Sequence, residues 1–335
     1  MIAVSEQKGF VLVLTLWVMV IVSIAAAYFA ERVTRSVELV QQSRQSVQGL
    51  IDMSSTRAEM FYRLGTNSMT EYGLGRGNTA ISLDNRPYRG FGETVVQLQD
   101  NRGLLNLNLA DDGSLQLFLG FMGIPADQRG RLIDTLHDYI DADNLRRLNG
   151  AEAEDYLALG LEPPPNRNLI TPWEAARIIG WRDHPELWGN GKLVEFTTTG
   201  LSVGINPNTA PVEVLETIPG ITKEIAQSII AQRKLAPLLN EGQITGITGA
   251  PSAQYQSIGS GVIAIPSNAI RITQSIRGLP WAIQYNVTLT PMGKDAPWQI
   301  DYYTHINTNP QNAAQELPPR STALPDKAPA FLTGE

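Results

Sequence analysis

Residues Phe10 to Ala30 carry no charged side chain, an apolar run of 21 residues placed almost at the start of the chain. At about 1.5 Å per residue, a helix of that length spans the ~30 Å hydrocarbon layer of a bilayer. Core helices of soluble proteins are usually shorter and keep a polar stripe. Three readings compete: a membrane anchor, a cleaved secretory signal and a buried first helix. Lys8 and the small residues Ala25, Ala26, Ala27 and Ala30 suit a signal peptide. The residues beyond Ala30 favour the anchor. No proline occurs before Pro87, and apolar side chains recur at Val33, Val37, Val40, Val47, Ile51, Ala58 and Phe61. These steps of three, four and seven trace the seam of an amphipathic helix, with Gly65 as its first stop signal. The pattern predicts one helix of about 55 residues, ~80 Å long, apolar all round in its first half and striped in its second. A signal-peptidase cut near Ala30 would sever it.

Beyond the helix, the chain has enough apolar residues (43%) to bury a core, and its net charge of −7 offers no global field for nucleic acid. It has no cysteine, which excludes disulfides, thiolate metal sites and cysteine nucleophiles. Residues 66 to 104 are rich in Gly, Asn and Arg, with short β-like runs such as Glu93 to Leu98. Residues 105 to 260 turn helical. Residues 261 to 306 alternate as AIRITQSI, WAIQYNVTLT and WQIDYYTHI, each bounded by Pro or Gly, and read as antiparallel strands. From 307 to 335 the sequence is Pro-rich and aperiodic, which predicts a disordered tail. This order predicts an α+β chain in which an all-helical domain is inserted into a body of one long helix and a sheet.

The helical region holds a faint repeat. Residues 106 to 133 (NLN…LGFMGIPADQRGRLI) and 206 to 230 (NPN…LETIPGITKEIAQSII) each read as a helix, a tight hairpin and a second helix. The second resembles the helix-hairpin-helix of DNA-binding proteins, whose hairpin amides grip a phosphate. However, Thr222 stands at the second hairpin glycine, and Lys223, Arg233 and Lys234 are balanced by Glu213, Glu216 and Glu224. A compact packing unit is the better reading, with DNA binding kept as an alternative.

Residues 132 to 156 (LIDTLHDYIDADNLRRLNGAEAEDY) crowd carboxylates together. Asp134, Asp138 and Asp141 share one helical face, and Asp143, Glu152, Glu154 and Asp155 come after them. Such groups repel unless they are solvated or share a hard cation. The spacing is not that of an EF-hand, because Leu145 and Arg146 stand where a ligand and a glycine belong. Both a solvated surface and a calcium site remain open, with Asp138, Asp141, Asp143, Glu152 and Asp155 as candidate ligands. An acid/base pair of Asp138 and Asp141 would be the basis of a periplasmic glycosidase. Other enzyme signals are missing: the three histidines are far apart, and there is neither an HExxH nor a G-x-S-x-G motif.

Lys8-Gly9-Phe10 resembles the processing site of type IV pilin-like proteins. There a peptidase cuts after the glycine and methylates the new N-terminal Phe. With the leader, the stretches NRGLLNLN, DYIDADNLRRLNGAEAEDY, PNRNLITPWEAARIIGW and INPNTAPVEVLETIPG resemble the K-type minor pseudopilins of the type II secretion system, over most of residues 1 to 306. The resemblance implies a leader over 1–9, cleavage between Gly9 and Phe10, N-methylation of Phe10 and a transmembrane segment over 10–30. It implies a pilin-like body from residues 31–104 and 261–306, carrying an inserted lobe of residues 105–260. The protein would be a non-enzymatic tip subunit, single-pass in the inner membrane with its body in the periplasm. Its partners would be the prepilin peptidase and the I-, J- and H-type minor pseudopilins, with no nucleic acid; calcium is described in the family. Leu14 replaces the glutamate usual at the fifth mature position, a departure that belongs to the K-type pattern. The absence of cysteine departs from disulfide-containing members.

Overall fold

A computed structural model of the chain describes residues 8–249, 261–307 and 314–319. The first seven residues of the expected leader and most of the expected tail lie outside them. The apolar run and the seam beyond it form a single helix, α1 (Lys8–Thr66, 59 residues). Its seam packs over only its last part. Val33, Val37, Val40, Val47 and Ile51 are exposed, whereas Met53, Met60 and Leu64 are buried. Packing begins near Gly49, where an added Cβ would lie 2.6 Å from Ile276 Cδ1. A seam that starts at Val33 predicts packing on the strands from there to Phe61, and the structure corrects this for a geometric reason. Strands of 7 to 10 residues extend some 25–35 Å and cannot cover a helix more than twice that length.

The helix lies on a six-stranded sheet built from β1 (Asp84–Arg89), β2 (Thr94–Asp100), β3 (Ala269–Ile276), β4 (Trp281–Leu289), β5 (Trp298–Asn307) and β6 (Gln315–Glu316). The spatial order is β6-β1-β2-β3-β4-β5, antiparallel except for the β6–β1 pair. Period-2 alternation sends one set of side chains to the helix. Leu98, Ile272 and Tyr285 are neighbours across three strands, and all are buried with Met60 beneath α1. The expectation of disorder from residue 307 fails at 314–319. There β6 pairs with Tyr88 and Arg89, Leu317 packs against the helix–sheet core, and Arg63 Nη1 donates to the Pro318 carbonyl at 2.9 Å.

The chain leaves the sheet at the end of β2 and returns at the start of β3. These two strands are direct neighbours, with Asp100 opposite Ile270. Everything between them is an insertion into what would otherwise be a hairpin. One carboxylate keys the neck. Asp100, fully buried, accepts from Ser267 N (2.8 Å), Ser267 Oγ (2.8 Å), Arg102 N (3.1 Å), Asn206 Nδ2 (2.9 Å) and Thr209 Oγ1 (3.0 Å).

Inside the insertion the faint repeat reappears as two units that share one hydrogen-bonded clamp. The first unit contains α2 (Asp112–Phe121), α3 (Ala126–Ile140) and α4 (Ala153–Ala158); the second contains α5 (Val212–Leu215), α6 (Lys223–Leu235) and α7 (Glu241–Thr248). Asn108 and Asn208 play the same part in each. Asn108 accepts from Leu169 N (2.9 Å) and donates to the carbonyls of Leu169 and Thr199. Asn208 accepts from Leu238 N (2.8 Å) and donates to the carbonyls of Leu238 and Ala264. The clamped leucine lies 61 residues beyond its asparagine in the first unit and 30 in the second. The extra length in the first unit includes the acidic stretch.

Candidate cation site in the helical lobe

The amphipathic pattern of α3 decides where its carboxylates go. Leu132, Ile133, Leu136 and Tyr139 are buried in the lobe core. The next loop and α4 pack beside Asp134, Asp138 and Asp141. Residues 142–149 are all exposed, with Leu148 at 93%, so apolar burial does not hold the loop. Carboxylates hold it instead. Arg147 N donates to both oxygens of the fully buried Asp138 at 3.2 Å. Asn149 donates to Asp134 Oδ2 through its backbone (3.1 Å) and its side chain (3.0 Å), and Leu145 N donates to Asp143 Oδ1 (2.8 Å). The turn needs Gly150, where a Cβ would fall 1.8 Å from Asp138 Oδ2.

Beyond the loop, Tyr156 anchors α4 in the core, and its hydroxyl accepts from Ile179 N at 3.1 Å. Asp155 is committed to protein partners: Oδ2 accepts from Glu152 N (2.9 Å), and Oδ1 accepts from Arg146 Nη1 (3.2 Å). Glu152 is not. Its side chain is only 6% exposed, yet neither carboxylate oxygen has a hydrogen-bond partner. Glu152 and Asp155 face each other as a capping box at the start of α4, and Asp155 N donates to the Glu152 carbonyl (2.9 Å). Asp141 Oδ1 and Asn166 Oδ1 are likewise buried acceptors without donors. Asn166, held at φ +48°, donates through Nδ2 to the Asp143 carbonyl (2.8 Å) and to Asn144 Oδ1 (2.9 Å).

Of the five carboxylates read from the sequence, then, Asp138 and Asp155 hold backbone amides and Asp143 closes a turn, while Asp141 and Glu152 keep unanswered oxygens. Asn166 was missed because a lone asparagine after three prolines carries no signal in the sequence. Burial, reinforced by Asp138, Asp141, Asp143 and Asp155, pushes the Glu152 carboxyl up to about 7. Burial also raises Asp138 and Asp141, the latter helped by Asp143. Acceptors gathered without donors are the oxygen chemistry that a hard cation would take. They are not a finished cage. Among the described residues, no three Asp, Glu or His side chains are grouped closely enough to hold a metal ion as they stand. The acid/base pair fares worse, because Asp138 lies sealed beneath the loop amides, out of reach of a sugar.

The two hairpins use their own amides. In the first, Gly123 is left-handed (φ +92°), Ile124 N donates to Leu119 O (2.9 Å), Pro125 has no N–H, and Arg129 covers the Ile124 carbonyl (2.8 Å). In the second, Ile221 N donates to Ile218 O (3.1 Å), and Thr222 caps α6 through Ile225 N (3.4 Å). Far from the lobe, α1 is long and apolar enough to cross a membrane, with a mean hydropathy of 2.5 over its most apolar window. Leu14 lies exposed within it. Phe29, Val33, Val37 and Val40 line an open apolar strip farther along.

Residues 201–258 match the helix-hairpin-helix motif family HHH_3. No curated protein matches the chain significantly in sequence. The fold is similar to a chain in the crystal structure of the GspK-GspI-GspJ complex from the enterotoxigenic Escherichia coli Type 2 Secretion System. The identity is 15%, the TM-score is 0.58, and the similarity covers 80% of this chain and 99% of that one. The fold is that of a GspK-type pseudopilin: a long helix on a mainly antiparallel sheet, with a helical lobe between neighbouring strands.

Proposed function

We propose that this chain is a non-enzymatic minor pseudopilin of a type II secretion system. It would stand at the tip of the pseudopilus and begin or cap its assembly for the export of folded proteins. One observation carries the reading: the similarity spans the sheet and the inserted lobe together, over nearly the whole of a chain that is solved in complex with other pseudopilins. The exposed part of α1 supports it. An apolar strip of this kind on an ordinary soluble protein would be an aggregation hazard, whereas in a bilayer and beside partner helices it is a contact surface. On this reading a prepilin peptidase cuts between Gly9 and Phe10 and methylates Phe10. The anchor crosses the inner membrane once, and the body faces the periplasm.

The test is to isolate the full chain from membranes, expressed with I-, J- and H-type minor pseudopilins. The mature N-terminus should be Phe10, and the partners should co-purify. An N-terminus at Glu31, or a chain that stays alone, would sink the proposal. Calcium belongs to the same reading. Asp141, Asp143 and Glu152, with Asp138 and Asp155 holding the surrounding backbone, are the residues that would bind it. Bound calcium would neutralise charges that burial makes costly. A ligand that binds only the folded state stabilises it, so calcium should raise the melting temperature relative to chelator.

A further inference from the structure

The lobe joins the sheet through two neighbouring chain crossings, at the end of β2 and the start of β3. A link that narrow would act as a hinge, and motion between two units is the ordinary expectation where their interface is polar. The contacts beyond the neck oppose it. We propose that the inserted lobe is locked to the sheet as a fixed cap, braced on both sides of the neck so that it cannot rock aside. The lock stands on the geometry alone. Its use as a cap rests on the tip reading of the proposed function, in which a subunit above has to be kept out.

The lobe bears on the sheet face opposite α1. Leu98, Ile272 and Tyr285 point to the helix, so the adjoining Gln99, Arg271 and Asn286, which pair across β2, β3 and β4, point away from it. All three are buried. Gln99 Nε2 donates to the Thr209 carbonyl of the lobe at 3.3 Å, and Arg271 donates to the carbonyls of Val194 and Glu195, both at 2.6 Å. Lifting the lobe off this face breaks these bonds together. Each flank then has its own brace. On one side Arg233 of α6 places Nη2 4.0 Å from Asp84 Oδ2 on β1, with both side chains largely buried. Nη1 of the same guanidinium donates to the carbonyls of Pro207 and Ala210 (2.8 and 2.6 Å), so the ion pair is fixed to the lobe's own backbone. On the other side Trp173 of the lobe meets Tyr302 of β5 edge to face, with ring centroids 5.4 Å apart, and Tyr302 pairs with Asn286 beside it. The neck lies between the two braces. β1 is one strand outside it and β5 two strands outside it on the other side. Steps of ~4.8 Å between strands set the braces about 19 Å apart. A rotation about the neck that closes one of them opens the other.

Double electron–electron resonance on the full chain in detergent micelles tests the lock. Nitroxides go on Ser54→Cys in α1 and Leu157→Cys in the lobe, both exposed positions, and the chain has no cysteine of its own. With the braces intact, one narrow distance is expected. Trp173→Ala combined with Arg233→Met should broaden the distribution about twofold, because only the neck and the face beneath the lobe then hold it. Should that pair of changes fail to fold, Trp173→Ala alone, at a half-buried position, should broaden it by a smaller margin. A broad or two-peaked distribution in the braced chain overturns the proposal, and so do folded variants that stay as narrow as the braced chain. The cap is tested separately by crosslinking in assembled pseudopili, with Leu14→Glu in every chain so that the leucine is not limiting. Braced chains should find neighbours below only, and unbraced chains above as well. Upper neighbours with the braces intact, or none without them, would overturn the use as a cap. The distance measurement involves no partner subunit, so failure of the lock and failure of the assembly role are told apart.

Discussion

Single side chains fasten the lobe to the sheet, and they do it with few ion pairs. Asp100 has five donors and no basic partner within the neck network. Arg271, only 3% exposed, donates through Nη1 and Nη2 to the carbonyls of Val194 and Glu195, both at 2.6 Å. Burial depresses its guanidinium pKa, and those carbonyls stand in for a counter-ion. Such groups matter through what their removal leaves unpaired. Asp100→Ala orphans several buried donors at once and should cost about 3–5 kcal/mol, whereas Asp100→Asn keeps the acceptor oxygen and should cost roughly half of that. Chemical denaturation of both variants checks the ranking, and equal losses would mean that the neck depends on volume rather than on acceptor chemistry. The sequence carried no hint of this residue. A single Asp at the end of a strand looks like any turn former, and most of its partners lie more than a hundred residues away. The acidic cluster was legible as a cluster, because its spacing is local. Which carboxylates hold amides and which stand free was not, because loop closure decides it.

At the scale of elements, periodicity was a sound guide wherever an element carries its own pattern. The long helix and the three strands after residue 261 follow from hydrophobic spacing with the Pro and Gly that bound it, and the two hairpin units from the internal repeat. What spacing could not give was the length of helix that the sheet covers, since both an exposed seam and a buried one read as amphipathic. It also hid β6, two residues long and set among prolines, which is held by Leu317 and the Arg63–Pro318 contact rather than by propensity. The uncovered stretch of α1 leads to a concrete expectation. The described residues of 31–47 are exposed throughout, so bodies beginning near residue 31 and near residue 48 should unfold within about 0.5 kcal/mol of each other. Met60→Ala, in the covered stretch, should cost roughly 2–5 kcal/mol. A large stability loss on removing 31–47 would show that the free helix is anchored to the body in a way the present packing lacks.

For the whole molecule, the register of the sheet fixes which way the lobe points. Gly49 meets Ile276 at one end of β3, and Gly65 comes within 3.8 Å of Trp298. Trp298 pairs with Leu289, Thr288 with Ala269 and Ile270 with Asp100. The helix therefore enters the body at the end of the sheet nearer the apolar segment and finishes at the end that bears the neck. On the proposed reading of α1 as a membrane anchor, the lobe would project from the end farthest from the bilayer, where a subunit stacked above would have to pass. Leu14 points the same way by independent chemistry. In pilin-like assemblies, a glutamate at this position lies in the bilayer core, where an unpaired charge costs several kcal/mol. The resemblance to pilin-like proteins implies that it would be offset by the terminal ammonium of the subunit above. A subunit with leucine offers nothing to a subunit above it, yet its own Phe10 ammonium can still meet the glutamate of the next subunit to arrive beneath. On the proposed tip reading, both features would suit the uppermost place. Because the chain has no cysteine, it adds no thiol of its own to the background of single-cysteine crosslinking in assembled pseudopili. Wild-type protein should crosslink to neighbours on its lower side only. Leu14→Glu should still assemble, and if the lobe alone enforces the tip position it too should crosslink only downward. If Leu14→Glu gains an upper neighbour, the leucine is the stricter of the two devices. Wild-type chains with neighbours on both sides, spread along the fibre, would end the tip assignment.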